Sequence, residues 1–111
     1  LRWYDRLRRS SEIAAVRRRG RRSSAATFAL FALPVPSGRV RVGVTVSKAV
    51  GGAVTRNLVR RRILGALDGL SERPSATRLL FVAKPAAATE SYTRLAADVA
   101  AALRGTRSPS G

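Results

Sequence analysis

Positions 39–47, RVRVGVTVS, alternate strictly between apolar and polar or small residues. In an extended chain Val40, Val42, Val44 and Val46 point one way, while Arg39, Arg41, Gly43, Thr45 and Ser47 point the other. A helix would scatter those valines around its axis; a strand, with a period of two, gathers them on one face. The run therefore predicts a half-buried strand, and the rest of the chain must supply its neighbours and its cover. Its polar face carries Arg41 and Thr45 among small residues, which leaves room for a ligand.

Two further segments read as strands. TFALFAL (27–33) is apolar on both faces, which suits a strand covered on both sides, and Pro34, Pro36, Ser37 and Gly38 end it in a turn. RLLFVAK (78–84) is a third apolar strand, closed by Pro85. Between the second and third, Gly51 and Gly52 precede a helix of roughly 53–70, whose buried stripe is Val59, Ile63, Ala66, Leu67 and Leu70. A last helix from about Thr89 to Arg104 carries Tyr92, Leu95, Ala96, Val99 and Leu103 on one face, and Gly105 is its expected stop. Near the N-terminus, Ser10 or Ser11 is the expected cap of a short helix reaching Arg17, with Ile13 and Val16 on one side and Gly20 ending it. Residues 1–9 read as irregular. The order is helix, strand, strand, helix, strand, helix, and the helix linking the last two strands makes them parallel. We expect an α/β chain, an α+β sandwich with a small mixed sheet of three to four strands. Helices cover one face and the other stays partly open. We expect residues 1–104 to form a single domain, and 105–111 a disordered basic tail.

Composition narrows the partner. Apolar residues make up 45% of the 111, enough for a core. Against 22 Lys and Arg stand six Asp and Glu, a formal charge of +16. Such an excess destabilises a compact state by self-repulsion, so a polyanion is expected to offset it. Nucleic acid is favoured over an anionic membrane. A genome rich in G and C would explain 20 Arg against two Lys, but not the net charge. Guanidinium groups also fit phosphate and stack on bases. With no Cys and no His, disulfides, thiolate zinc sites and Cys or His catalysis are excluded. No window is apolar for the roughly 18–20 residues a membrane span needs, and we expect no secretory segment ahead of the domain. We expect a cytoplasmic protein with no membrane partner and no obligate protein partner.

KAVGGAVTRNLVRRRI (48–63) is the most informative segment. At about 100° per residue, Arg60 lies about 40°, Asn57 about 100° and Arg61 about 140° from Arg56. These four donors form one arc at a helix N-terminus, where free N–H groups already favour anions. Gly51 and Gly52 allow a phosphate to approach the backbone. An ordinary solvated helix face mixes acids with bases, but residues 48–67 contain no acid.

The same segment resembles the protein component of bacterial ribonuclease P. VGVTVSKAVGGAVTRNLVRRRI is similar to that family's strand, lysine–glycine turn and arginine–asparagine helix. RLRRSSEIAAVRRRG, TFALFAL and LLFVAKPAAATESYTRLAADVAAAL resemble its first helix, first strand, and last strand and helix, so the likeness runs in order along nearly the whole chain. The resemblance implies a fold like the second domain of ribosomal protein S5, with a left-handed strand–helix–strand crossover, although about 98% of such crossovers are right-handed. It implies a subunit that binds a catalytic RNA and the 5′ leader of precursor tRNA and assists removal of that leader. Lys48, Arg56, Asn57, Arg60 and Arg61 would contact the catalytic RNA. Ile13, Val16, Arg17, Phe28, Phe31, Arg41, Thr45 and Ser47 would line the leader cleft. Leu58 and Leu64 stand where the family usually has basic residues. Leu64, about 80° from Arg56 on the helix, falls in the middle of the arc, where it would be exposed or would pack on RNA. At two positions where the family's first helix commonly presents aromatics, this chain has Ile13 and Arg17; Arg17 could stack through its guanidinium.

Phosphodiester hydrolysis calls for an activated water, often on metal ions. The acids Asp5, Glu12, Asp68, Glu72, Glu90 and Asp98 are scattered, so no catalytic residue or metal site is expected in this chain. The resemblance puts magnesium and the cleavage chemistry on the RNA. The alternative from the residues alone is a ribosomal-type RNA-binding protein without a catalytic partner.

Overall fold

The alternating run forms a strand at Val40–Thr45 in a computed structural model that describes residues 2–107. Eight further elements surround it. In chain order the strands are β1 (Tyr4–Arg6), β2 (Arg21–Ser24), β3 (Phe28–Pro34), β4 (Val40–Thr45) and β5 (Thr77–Ala83). The helices are α1 (Ser10–Arg19), α2 (Ala53–Asp68) and α3 (Tyr92–Arg107), with a short 3₁₀ turn at Pro85–Ala88. The strands make one mixed sheet in the order β1-β4-β5-β3-β2. As predicted, β4 and β5 are parallel, with Arg41 opposite Arg78 and Thr45 opposite Val82. β3 runs antiparallel to β5 and places Phe31 beside Leu80.

The sheet has five strands, more than expected, because two short basic segments join its edges. Residues 1–9 are not wholly irregular: β1 lies parallel to β4, and Leu7 continues the ladder by donating to Val42 O at 2.8 Å. Tyr4 is buried, and Trp3 caps the end of α2 by donating its indole N–H to Leu67 O at 3.0 Å. At the other edge β2 pairs antiparallel with β3.

Alternation divides the core between the two sheet faces. Phe28, Leu30, Val40, Val42, Leu79 and Phe81 face α2 and α3, where they meet Val59, Ile63, Leu67, Leu95, Val99 and Leu103. The opposite face carries Leu80, Phe31, Leu33 and Val82, and α1 packs there through Val16 and Ile13, with Leu7. Two helices thus cover the predicted face, while α1 covers part of the face expected to lie open. Gly43 lets Leu7 sit down on β4, since a Cβ at that position would lie 3.3 Å from both Leu7 Cβ and Leu80 Cδ1.

The ends of the helices differ from expectation. Neither serine caps α1; Arg9 takes the N-cap position without a side-chain bond. Gly20 ends that helix as predicted. Helix α3 starts at Tyr92 and passes through Gly105 to Arg107, because a glycine in a helix interior costs only about 1 kcal/mol and does not by itself stop it. Residues 108–111 of the predicted tail lie outside the described residues.

Candidate nucleic-acid interface

The first candidate surface is the start of α2. A tight turn, with Val50 N–H donating to Ser47 O and Gly51 N–H to Lys48 O, delivers the exposed Lys48 next to the helix. Gly51 has φ +155°, and a Cβ there would lie 2.9 Å from Thr55 Cγ2, so this corner needs glycine. Gly52 occupies the N-cap with no side-chain cap, and no acid lies in the first turn. The helix N–H groups and the arginines therefore act on the same solvent region.

Burial along α2 redraws the predicted arc. Residues 52–54, 57 and 58 are exposed, and full burial begins at Val59. Taking Arg56 as zero, the buried Val59, Ile63 and Leu67 fall within about 60° of it. The basic arc and the core stripe thus share a direction and are separated along the axis. Arg56 is the first residue of that stripe, half-buried, with its Nε shielded and without an acceptor. Arg60 Nη1 donates to Asn57 Oδ1 at 3.0 Å, which fixes these two against each other. Arg61 is exposed. Leu64 is neither exposed nor set to meet RNA: it is 7% exposed and belongs to the core. The arc ends there because the core begins. Leu58, on the outer side, is 37% exposed.

The second candidate surface lies between α1 and the sheet. Of the residues expected in this cleft, Phe28 is not in it. It is fully buried on the opposite face, edge-on to Phe81 at 5.1 Å. Phe28 and Phe31 are three apart, and alternation puts residues an odd number apart on opposite faces. Val16 is also fully buried; it is the pivot by which α1 packs on Leu80, not a wall of the cleft. Ile13 and Phe31 remain partly accessible. The guanidinium of Arg17 lies over the Phe31 ring at 6.0 Å, and that of Arg22 does so at the same distance. Thr45 is half-buried and Ser47 exposed.

Arg41 is held apart from Thr45 and Ser47. Four residues of strand, about 13 Å, separate Arg41 from Thr45, and Arg41 is bound to α1. Glu12 of α1 accepts from Arg41 Nη1 at 3.2 Å through one oxygen and from Arg78 Nε at 3.0 Å through the other. Arg78 Nη1 also donates to Arg39 O at 3.0 Å. Partial burial pushes the Glu12 carboxyl up, but the hydrogen bonds and charges of Arg78 and Arg41 outweigh it and hold the group below its ordinary value. No local pattern in the sequence singles out Glu12 and Arg78. Only the β4–β5 register reveals that two arginines share one carboxylate.

Among the described residues no group of three or more His, Cys, Asp or Glu could hold a metal ion. No helix there is long and apolar enough to cross a membrane. The arrangement is one of arginines and helix N–H groups at the start of α2, and a half-buried Phe31 overlain by Arg17 and Arg22 on the sheet face that carries α1.

The family model for ribonuclease P matches residues 1–107. The chain belongs to the ribonuclease P protein family. Curated relatives agree: the ribonuclease P protein component of Salinispora tropica is 38% identical over 128 residues, covering 96% of this chain and 93% of its own length. That of Thermobifida fusca is 37% identical, covering 96% and 79%. The solved ribonuclease P protein of Staphylococcus aureus superposes with a TM-score of 0.80 at 16% identity, over 96% of this chain and 97% of the other. That of Thermotoga maritima gives 0.81 at 14%, over 91% and 96%. At such identities the ribonuclease P structures show a shared fold. The membership rests on the family model and the sequence relatives.

Proposed function

We propose that this chain is the protein component of a ribonuclease P and binds two RNAs on two surfaces. The start of α2, with Lys48, Arg56, Asn57, Arg60 and Arg61, binds the catalytic RNA. The cleft beside α1, with Ile13, Arg17, Phe31, Thr45 and Ser47, takes the 5′ leader of precursor tRNA. The observation that carries this reading is the acid-free arginine–asparagine helix start within a chain matched by the family from residue 1 to 107. A ribosomal-type RNA-binding protein would account for the charge and the open sheet face but not for that match.

On this reading the chain contributes position and charge, not bond cleavage. Its arginines offset phosphate repulsion between leader and catalytic RNA, which lowers the magnesium the complex requires. The RNA would hold the magnesium ions and carry out hydrolysis of the phosphodiester. Several acids of the protein are already engaged and do not suit that chemistry. Glu12 is taken by two arginines, Asp5 pairs with Arg39 at 3.2 Å, and Asp98 pairs with Arg94 at 3.3 Å. A cytoplasmic site of action accords with a tRNA substrate.

Reconstitution tests the proposal. The protein, a bacterial ribonuclease P RNA and a precursor tRNA are combined at low magnesium, and release of the leader is followed. Cleavage is expected to be stimulated by the protein. An RNA whose cleavage is unchanged across a range of magnesium would refute the reading.

A further inference from the structure

We infer that the α1–β2 corner and the β2 edge extend the leader cleft, and hold leader nucleotides farther from the cleavage site than those in the cleft itself. This rests on the reading that the cleft takes the leader. Five of the six residues 17–22 are arginines. All five are exposed, and no ion pair among the described residues engages them. A single charge suffices to guard a sheet edge against unwanted pairing, so this density calls for a polyanion.

The geometry joins this patch to the cleft. Arg22 of β2 sits directly opposite Phe31 of β3 in the register. Arg17 from α1 and Arg22 from β2 both lie over the Phe31 ring. One aromatic floor residue thus gathers guanidinium groups from two elements, with their remaining surfaces open to solvent. Such a plane stacks on a base while its edge donates to phosphate. Single-stranded RNA, with unstacked bases and one phosphate per nucleotide, offers both.

Direction follows from the sheet order. The proposed catalytic-RNA surface begins at Lys48, just beyond the end of β4, and β2 is the far edge beyond β5 and β3. The distance from β4 to β2 is three strand spacings, about 14 Å. A leader that starts near the catalytic RNA and crosses the cleft leaves the protein over β2. All four residues of β2 are exposed along its length, so nothing in the described fold covers this exit.

The test uses the reconstituted holoenzyme and precursor tRNAs whose leaders lengthen one nucleotide at a time. Precursor affinity is measured for the unaltered protein, R21A/R22A and R21K/R22K over a range of salt. Beyond a threshold leader length the unaltered protein should gain affinity, and R21A/R22A should lose that gain. One lost phosphate contact on a single strand, that of Arg22 on the cleft face, should also make the salt slope shallower by about 0.7; Arg21 pairs with Ala32 and points to the opposite face. Below the threshold the two proteins should bind alike, and R21K/R22K should keep the slope. The inference is overturned if R21A/R22A weakens binding equally at every length, if it changes nothing at any length, or if R21K/R22K has the slope of the alanine variant. Failure of the unaltered protein to aid cleavage of any precursor would instead remove the underlying reading, and is told apart by that control.

Discussion

Replacing Glu12 by Gln removes the charge that ties α1 to two strands. The stronger arm is the one to Arg78, whose side chain is 14% exposed against 25% for Glu12. A hydrogen bond to a charged partner contributes about 1.5–3 kcal/mol. The Arg41 arm, 43% exposed, adds at most about 0.5 kcal/mol once screened by water. Glutamine keeps the shape and one acceptor, so E12Q should cost about 2 kcal/mol, or about 10 °C in Tm for a domain of this size. The pH dependence has a definite sign. The folded carboxyl is held below its ordinary value of 4.5, so its stabilisation is complete above that value and is lost as pH falls through the lower, folded value. Urea unfolding followed by circular dichroism, at pH 7 and again near pH 3, should show a wild-type advantage at pH 7 that shrinks on acidification. Equal stabilities at pH 7, within about 0.5 kcal/mol, would refute the clamp; a gap that persists unchanged in acid would refute its electrostatic origin.

Other substitutions test the corrected positions. Leu64→Ala should cost about 2–4 kcal/mol, as expected for a core leucine, whereas Leu58→Ala should cost under about 1 kcal/mol; denaturant midpoints of the two variants decide this, and equal losses would contradict the burial pattern. Phe28→Leu should lower stability by about 1–2 kcal/mol through imperfect core filling while leaving leader affinity as it is. Phe31→Ala should weaken binding of precursor tRNA more than of mature tRNA, read as the ratio of the two Kd values.

The strands legible in the sequence are those with an apolar pattern, and the others have none. β1 and β2 are short, with no apolar alternation, and they form because β4 and β3 offer unpaired edges and Tyr4 finds the core. TFALFAL declares a strand covered on both sides, but a run apolar on both faces cannot say which face meets which helix. Their odd spacing already sets Phe28 and Phe31 on opposite faces of one strand, so the placement of both in one cleft, which the resemblance implied, fails. On α2 the helical angles place the arginines correctly relative to one another. The same angles put the predicted stripe of Val59, Ile63 and Leu67 within about 60° of Arg56; what they do not disclose is where along the axis full burial begins, which is why Leu64 is buried and Arg56 half-buried. The Glu12 clamp needs the register of β4 on β5, a long-range fact that no local pattern encodes.

The start of α2 as the surface for the catalytic RNA is tested most directly by the salt dependence of binding to ribonuclease P RNA, compared between the unaltered protein and R56A/R60A. Two lost phosphate contacts on structured RNA should weaken binding and lower the slope of log K against log salt by about 1.8 if the RNA behaves as a duplex, or about 1.4 if single-stranded. A variant that binds with the same affinity and the same slope would show that the RNA lies elsewhere.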